Sequence, residues 1–116
     1  EAGARTTTIP DTRVTVSSQT SFPPLPNNVA TDVLAARAET IYAGLGRTIG
    51  RGGNGGASES ALAAEAGVPA LDGLGPVGGG FHSETEYLDL TTLTPRLYLL
   101  TKLIMELGKA PPARMP

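Results

Sequence analysis

The chain has 116 residues, with 9 Lys and Arg against 11 Asp and Glu, a net charge of −2, one His, no Cys and no Trp. One ordinary domain is the most this length supports. Without Cys there is neither a disulfide framework nor a thiolate zinc site, and one His cannot close a His/carboxylate site alone. The acidic balance gives no basic footprint for a phosphate backbone, so nucleic acid is excluded as an expected partner. No run approaches the ~20 apolar residues of a membrane span, and the first 15 residues hold no apolar signal-peptide core, so no membrane association is expected. The chain starts at Glu1 rather than Met, from which we expect the native N-terminus to lie upstream.

In chain order, Thr12–Ser18 is β-branched or small and sets Val14 and Val16 on one face, the period-2 pattern of a half-buried edge strand. Pro23, Pro24 and Pro26 then remove three backbone donors, so 22–28 is read as an extended linker and a domain boundary. The apolar positions Val29, Val33, Leu34, Ala36, Ile41 and Ala43 predict a helix over 29–43, with Asn27 or Asn28 as cap and Gly44 as stop. Arg47–Gly50 is a short strand candidate. Gly52–Ser58 is a glycine loop leading into a short Ala-rich helix over 58–66, capped by Ser58 and ended by Gly67.

Within Val68–Gly75 a buried strand of four or five residues is expected, with Pro69 at its start, and Gly78–Ser83 is read as a second glycine loop. For the last helix, Thr94 is the expected cap, Pro95 the first helical residue and Gly108 the stop. Its predicted buried stripe is Leu97, Leu100, Leu103, Ile104 and Leu107. Lys109–Pro116, with three prolines, is expected to be a disordered tail. The alternation of strands and helices predicts an α/β fold with helical crossovers between sheet neighbours. No repeat is visible, although 13 of the 15 glycines lie between Gly44 and Gly80.

Two segments carry candidate chemistry. Gly52–Ser58 meets a helix N-terminus, where free amides favour an anion such as a carboxylate; the bland alternative is a tight turn. It is not a Walker loop, because no Lys-Ser or Lys-Thr follows the glycines. Asn54 and Ser58 are the side chains able to add polar contacts. His82 follows three glycines after an expected buried strand, where ligands of open α/β sheets gather; the bland reading is an exposed or hydrogen-bonded loop histidine. Glu84 and Glu86 are placed either to hold its ring or to be solvated. Tyr87 and Tyr98 are read as packing residues.

Taken together, Asn54-Gly-Gly-Ala-Ser-Glu-Ser-Ala61, Gly67-Val-Pro-Ala-Leu-Asp-Gly-Leu-Gly-Pro76, Gly78-Gly-Gly-Phe-His-Ser83 and Glu86-Tyr-Leu88 resemble the C-terminal part of one known family. This is the zinc exopeptidase and deacylase family of glutamate carboxypeptidase, acetylornithine deacetylase and succinyl-diaminopimelate desuccinylase. The likeness runs from about residue 12 to 116. It implies the C-terminal part of a catalytic domain with a mixed sheet flanked by helices, preceded by the last strand of an α+β lid or dimerisation domain. Residues 1–22 would close the lid, 23–28 link, 29–108 form the returning half of the catalytic domain, and 109–116 trail.

The resemblance also implies two zinc ions per complete site, with cobalt or manganese as substitutes. His82 would be the last metal ligand, and Asn54, Gly55, Gly56 and Ser58 would line the pocket for a small peptide or N-acyl amino acid. Homodimerisation through the lid would follow. The family's remaining ligands and its general-base glutamate belong to an N-terminal half that this sequence does not contain. The chain is therefore expected to be inactive alone and to act with that half as partner. Two departures stand out. Glu59 occupies the place of the family's Asp in Gly-Gly-Ser/Thr-Asp, and no Arg stands beside Phe22-Pro23-Pro24, where carboxypeptidase-like members clamp a substrate carboxylate. A catalytically inactive relative acting as a binding or assembly module is the rival expectation.

Overall fold

Asn28 starts the first long helix. Its backbone is extended and its side-chain Oδ1 accepts from the Thr31 amide at 3.0 Å, satisfying one of the free donors of the first turn. The computed structural model, which describes residues 4–5, 8–19 and 21–111, places α1 at Val29–Ala43, matching the predicted bounds. The residues it buries are Leu34, Ala38 and Tyr42, spaced one turn apart, whereas Val29 is 80% exposed and Val33 also faces solvent. Gly44 follows in a right-handed conformation. The residue that turns the chain away is Gly46 at φ +68°, with the Arg47 amide bonded back to the Tyr42 carbonyl and the Gly46 amide to that of Ala43.

The last helix, α3, runs Leu93–Lys109 behind a 3₁₀ turn at Leu90–Thr92. The helix thus begins before the expected Thr94 cap. Asp89 caps the preceding turn, accepting from the amide and hydroxyl of Thr91 at 2.9 and 2.7 Å. These bonds hold its carboxyl below the ordinary aspartate range, with the Arg47 charge adding to them. Pro95 sits in the first turn, where a missing amide breaks no helical bond, and Gly108 lies inside the helix instead of ending it. Lys109, expected in the tail, is the helix's last residue; 112–116 lie outside the described residues.

The core is the seam between α1 and α3. Ala38, Tyr42, Leu99 and Leu103 are buried together, and Ile41, Ile49, Leu71, Leu74 and Leu107 close over them. Arg96 lies over the Tyr42 ring at 5.3 Å from its centroid, and Arg37 donates to the Ala110 carbonyl at 2.9 Å, so two cations also join the helices. Leu99, with no exposed surface, is the deepest side chain. Leu99→Ala is expected to lower stability by about 2–5 kcal/mol, measured as the shift of the denaturant midpoint.

The predicted stripe on α3 needs correction, because this helix carries two apolar rows. Leu99, Leu103 and Leu107 face α1. Leu93, Leu97, Leu100 and Ile104, at i, i+4, i+7 and i+11, form a second row that is exposed, Leu97 at 62% and Ile104 at 61%.

The expected sheet is also reduced. The strands are four two-residue segments in two antiparallel ladders: β1 (Ala4–Arg5) with β2 (Val14–Thr15), and β3 (Gly78–Gly79) with β4 (Tyr87–Leu88). Of the predicted strand over 12–18, only Val14–Thr15 pairs, and Val14 and Val16 are exposed. Residues 47–50 and 68–75 are not strands, although Ile49, Leu71 and Leu74 do turn inward. A strand exists only through its neighbour's hydrogen bonds, and no described residue pairs with either segment. The third helix, α2, spans Ser60–Glu65 and ends at Gly67 (φ +76°), as expected of that glycine.

The chain exposes 8961 Å², against about 5,900 Å² for a folded monomer of this mass. Its radius of gyration is 19.9 Å, where a self-contained domain of this length has about 13 Å. Among the described residues the fold therefore has a seam but no enclosed core. Among the described residues, no helix is long and apolar enough to cross a membrane.

Candidate functional site

His82 sits at the tip of the β3–β4 hairpin, a ladder that the sequence presents as a plain glycine loop. The three glycines before it have packing reasons. A Cβ on Gly78 would come within 2.5 Å of the Tyr87 carbonyl oxygen, and one on Gly79 within 2.8 Å of the Tyr87 ring. Gly80 has φ +67° and would meet the Thr85 carbonyl oxygen at 2.7 Å. Beyond them the loop bonds to itself. The amide and hydroxyl of Ser83 donate to the Gly80 carbonyl at 3.1 and 2.7 Å, and the Glu86 amide donates to the Ser83 carbonyl at 3.2 Å.

This frame holds His82 itself at φ +62°, a left-handed conformation that costs a residue bearing a Cβ about 1–2 kcal/mol. Its amide donates to Glu86 Oε2 at 3.3 Å. Glu86 thus orients the backbone and not the ring, and the exposed imidazole has no hydrogen-bond partner among the described residues. The hairpin is fastened to α3 through Thr92: its hydroxyl accepts from the Val77 amide at 2.9 Å and donates to the Asp89 carbonyl at 2.6 Å, while the Asp89 amide reaches the Val77 carbonyl at 2.8 Å.

Asn54, Gly55, Gly56 and Ser58 line an open groove of about 580 Å³, opposite Phe22–Leu25 of the linker and beside Asp72 and Gly73. His82 is not among the residues lining it. Nor is the expected anion cradle formed. α2 is a six-residue helix that opens at Glu59, and its first amides are already used: Ser60 bonds to Ser58 Oγ, Ala61 to the Ser58 carbonyl, and Leu62 to the Glu59 carbonyl. Asn54 Oδ1 takes the Gly56 amide at 2.9 Å, an Asx turn that shapes the loop from within.

A second groove of about 500 Å³ adjoins the first, sharing Leu25, Gly52, Gly53 and Asp72 with it, and runs along α1. Arg51 stands in its wall. The guanidinium grips Glu39 with two bonds, Nε to Oε1 at 2.6 Å and Nη2 to Oε2 at 2.8 Å, and Nη1 reaches Asp32 Oδ1 at 2.9 Å. Those hydrogen bonds, reinforced by the cation's charge, hold the Glu39 carboxyl below the ordinary glutamate range. Arg51 is absent from the residues the sequence nominates. The available signal was the pair Asp32 and Glu39, two turns apart on one face of α1.

As a donor set for metal, these residues fit in part. Among the described residues, no three His, Asp or Glu side chains converge, and one free exposed imidazole fills one position of a tetrahedral site.

A model of peptidase family M20/M25/M40 matches residues 3–106. The chain belongs to this family. Within it, the chain is 39% identical over 77 residues to carboxypeptidase G2 of Pseudomonas sp. (strain RS-16), an overlap of 65% of this chain and 19% of that protein. The aligned part of the chain thus spans about a fifth of that relative's length. No solved structure matches the chain.

Proposed function

We propose that the chain is the C-terminal segment of a zinc-dependent metallopeptidase or amidohydrolase that cleaves an amide bond of a small peptide or N-acyl amino acid, and that it acts only with its N-terminal half. The observation that carries this reading is the family match over residues 3–106. The name of the related carboxypeptidase supports hydrolysis of a peptide bond.

In this reading His82 is a metal ligand, presented by a hairpin that keeps its shape through bonds not involving the ring. Asn54, Gly55, Gly56 and Ser58 form one wall of the substrate pocket. When bound, zinc polarises the scissile carbonyl and lowers the pKa of an attacking water, two ions serving each complete site and cobalt or manganese able to replace them. Residues 1–22 close a lid that pairs two copies of the enzyme, 23–28 link, 29–108 return to the catalytic domain, and 109–116 trail.

The N-terminal half is the partner because this chain leaves surfaces for it. The outer row of α3 is apolar and open. Arg96 Nε and Nη1 are buried without a hydrogen-bond acceptor among the described residues, a costly arrangement unless the surroundings are completed or rearranged by other residues. One feature favours the rival, an inactive relative used for binding or assembly: Glu59 makes no capping hydrogen bond where the family carries Asp. Metal analysis of the complete enzyme separates the two. About two zinc per site is the expected result, and a metal-free, inactive protein would sustain the rival.

A further inference from the structure

The groove wall that runs from Gly50 to Ala57 is exposed throughout and contains five glycines, the residues that lose most conformational freedom on ordering. Between Ile49 and Ser58 this segment makes hydrogen bonds to other described residues only through Arg51; the Asn54–Gly56 turn is internal to it. Arg51 is therefore the attachment of the loop to the rigid face of α1. Its grip suits that task. A planar fork closed on both oxygens of Glu39 defines orientation as well as distance, and the third nitrogen on Asp32, two turns earlier on α1, fixes the lean of the fork along the helix.

The same bonds argue against a direct role in binding an anionic substrate. Each of the three guanidinium nitrogens already serves a carboxylate, and the cluster holds two acids for one base. A substrate carboxylate would have to displace one of them.

We propose that Arg51 is a positioning residue: anchored to Glu39 and Asp32, it sets the take-off of the Gly52–Gly56 loop, and so the wall against which substrate lies, without touching the substrate. This inference rests on the reading that the loop lines the substrate pocket. It is tested on the complete enzyme with Arg51→Ala, Arg51→Lys and Glu39→Gln, each assayed with an N-acyl amino acid and with its C-terminal amide.

A misplaced wall lowers kcat/KM on the order of tenfold to a hundredfold, mainly through KM. The loss is expected in all three variants, because lysine lacks the fork and Glu39→Gln loosens the anchor while leaving the Arg51 charge in place. Guanidinium ion should partly rescue Arg51→Ala. The preference for free acid over amide should not change. If Arg51 clamps the substrate carboxylate instead, Arg51→Ala abolishes that preference and Glu39→Gln, which frees the fork, lowers KM; either result overturns the proposal.

A nitroxide attached at Ala57→Cys reads the loop independently of turnover. It should become more mobile on Arg51→Ala, and equal mobility with and without Arg51 would also overturn the proposal, even if the enzyme proved to hydrolyse something else.

Discussion

In the complete enzyme, His82→Ala is expected to reduce bound zinc to at most one ion per site and to lower kcat by more than the ~100-fold typical of residues that only support a ligand. The hairpin that carries His82 does not rely on the ring. Its shape depends on the fit of Gly78–Gly80 against Tyr87 and Thr85, on the Ser83 bonds and on Thr92, none of which uses the imidazole. Removing the ring should therefore remove the ligand and leave the loop. His82→Gly makes a sharper control, since glycine adopts φ +62° without strain. That variant should be at least as stable as the parent and still lose metal and turnover. Atomic absorption, steady-state kinetics and thermal unfolding on the same samples separate the two effects. Full zinc content and turnover in either variant would exclude His82 from the metal site.

The double variant Leu97→Lys/Ile104→Lys should prevent the enzyme from assembling. Both side chains lie on the outer row of α3, where they touch little in this chain, so the substitutions are expected to cost the α1–α3 seam no more than about 0.5 kcal/mol. In the proposed complete enzyme this row would be covered by the N-terminal half. Each Leu or Ile removed from that contact forfeits about 1.5–3 kcal/mol of burial, and each new charge must be desolvated. Lys102→Gln, on the opposite side of the helix, is expected to leave assembly intact. Co-purification of the two halves expressed as separate chains, with hydrolysis of the recovered complex, measures the outcome. Normal recovery of an active complex from the double variant would show that this row is not the contact.

The elements legible in the sequence were those whose signals are local. Asn28 and the apolar positions after it define α1 because a cap and a stripe act within one turn. Gly67 ends α2 for the same reason. Where the deciding interaction is distant, the reading failed. On α3 two apolar rows overlap within one helix, and sequence spacing merged Leu97, Leu100 and Ile104 with the buried Leu103 and the partly buried Leu107; only the position of α1 tells them apart. The segment 68–75 has the composition of a buried strand, but no described residue pairs with it.

The candidate site divides the same way. His82 and the glycines around it were visible as a motif. The reason for the glycines, the close approach of Tyr87, was not, and it means that their presence alone does not argue for a metal. The left-handed backbone of His82 is held by the Ser83 and Glu86 bonds of the same hairpin. Arg51 was invisible because its partners lie 12 and 19 residues away, joined to it only by the fold.

We propose that this chain supplies one ligand and one pocket wall to a metallohydrolase completed by its N-terminal half. Zinc content and hydrolysis of an N-acyl amino acid, measured side by side on the 116-residue chain and on the complete enzyme, test it most directly. The complete enzyme should hold about two zinc ions per site and turn over, and the chain alone should show neither stoichiometric zinc nor turnover. A zinc-loaded, active 116-residue chain, or a complete protein that neither binds zinc nor hydrolyses such substrates, would contradict it.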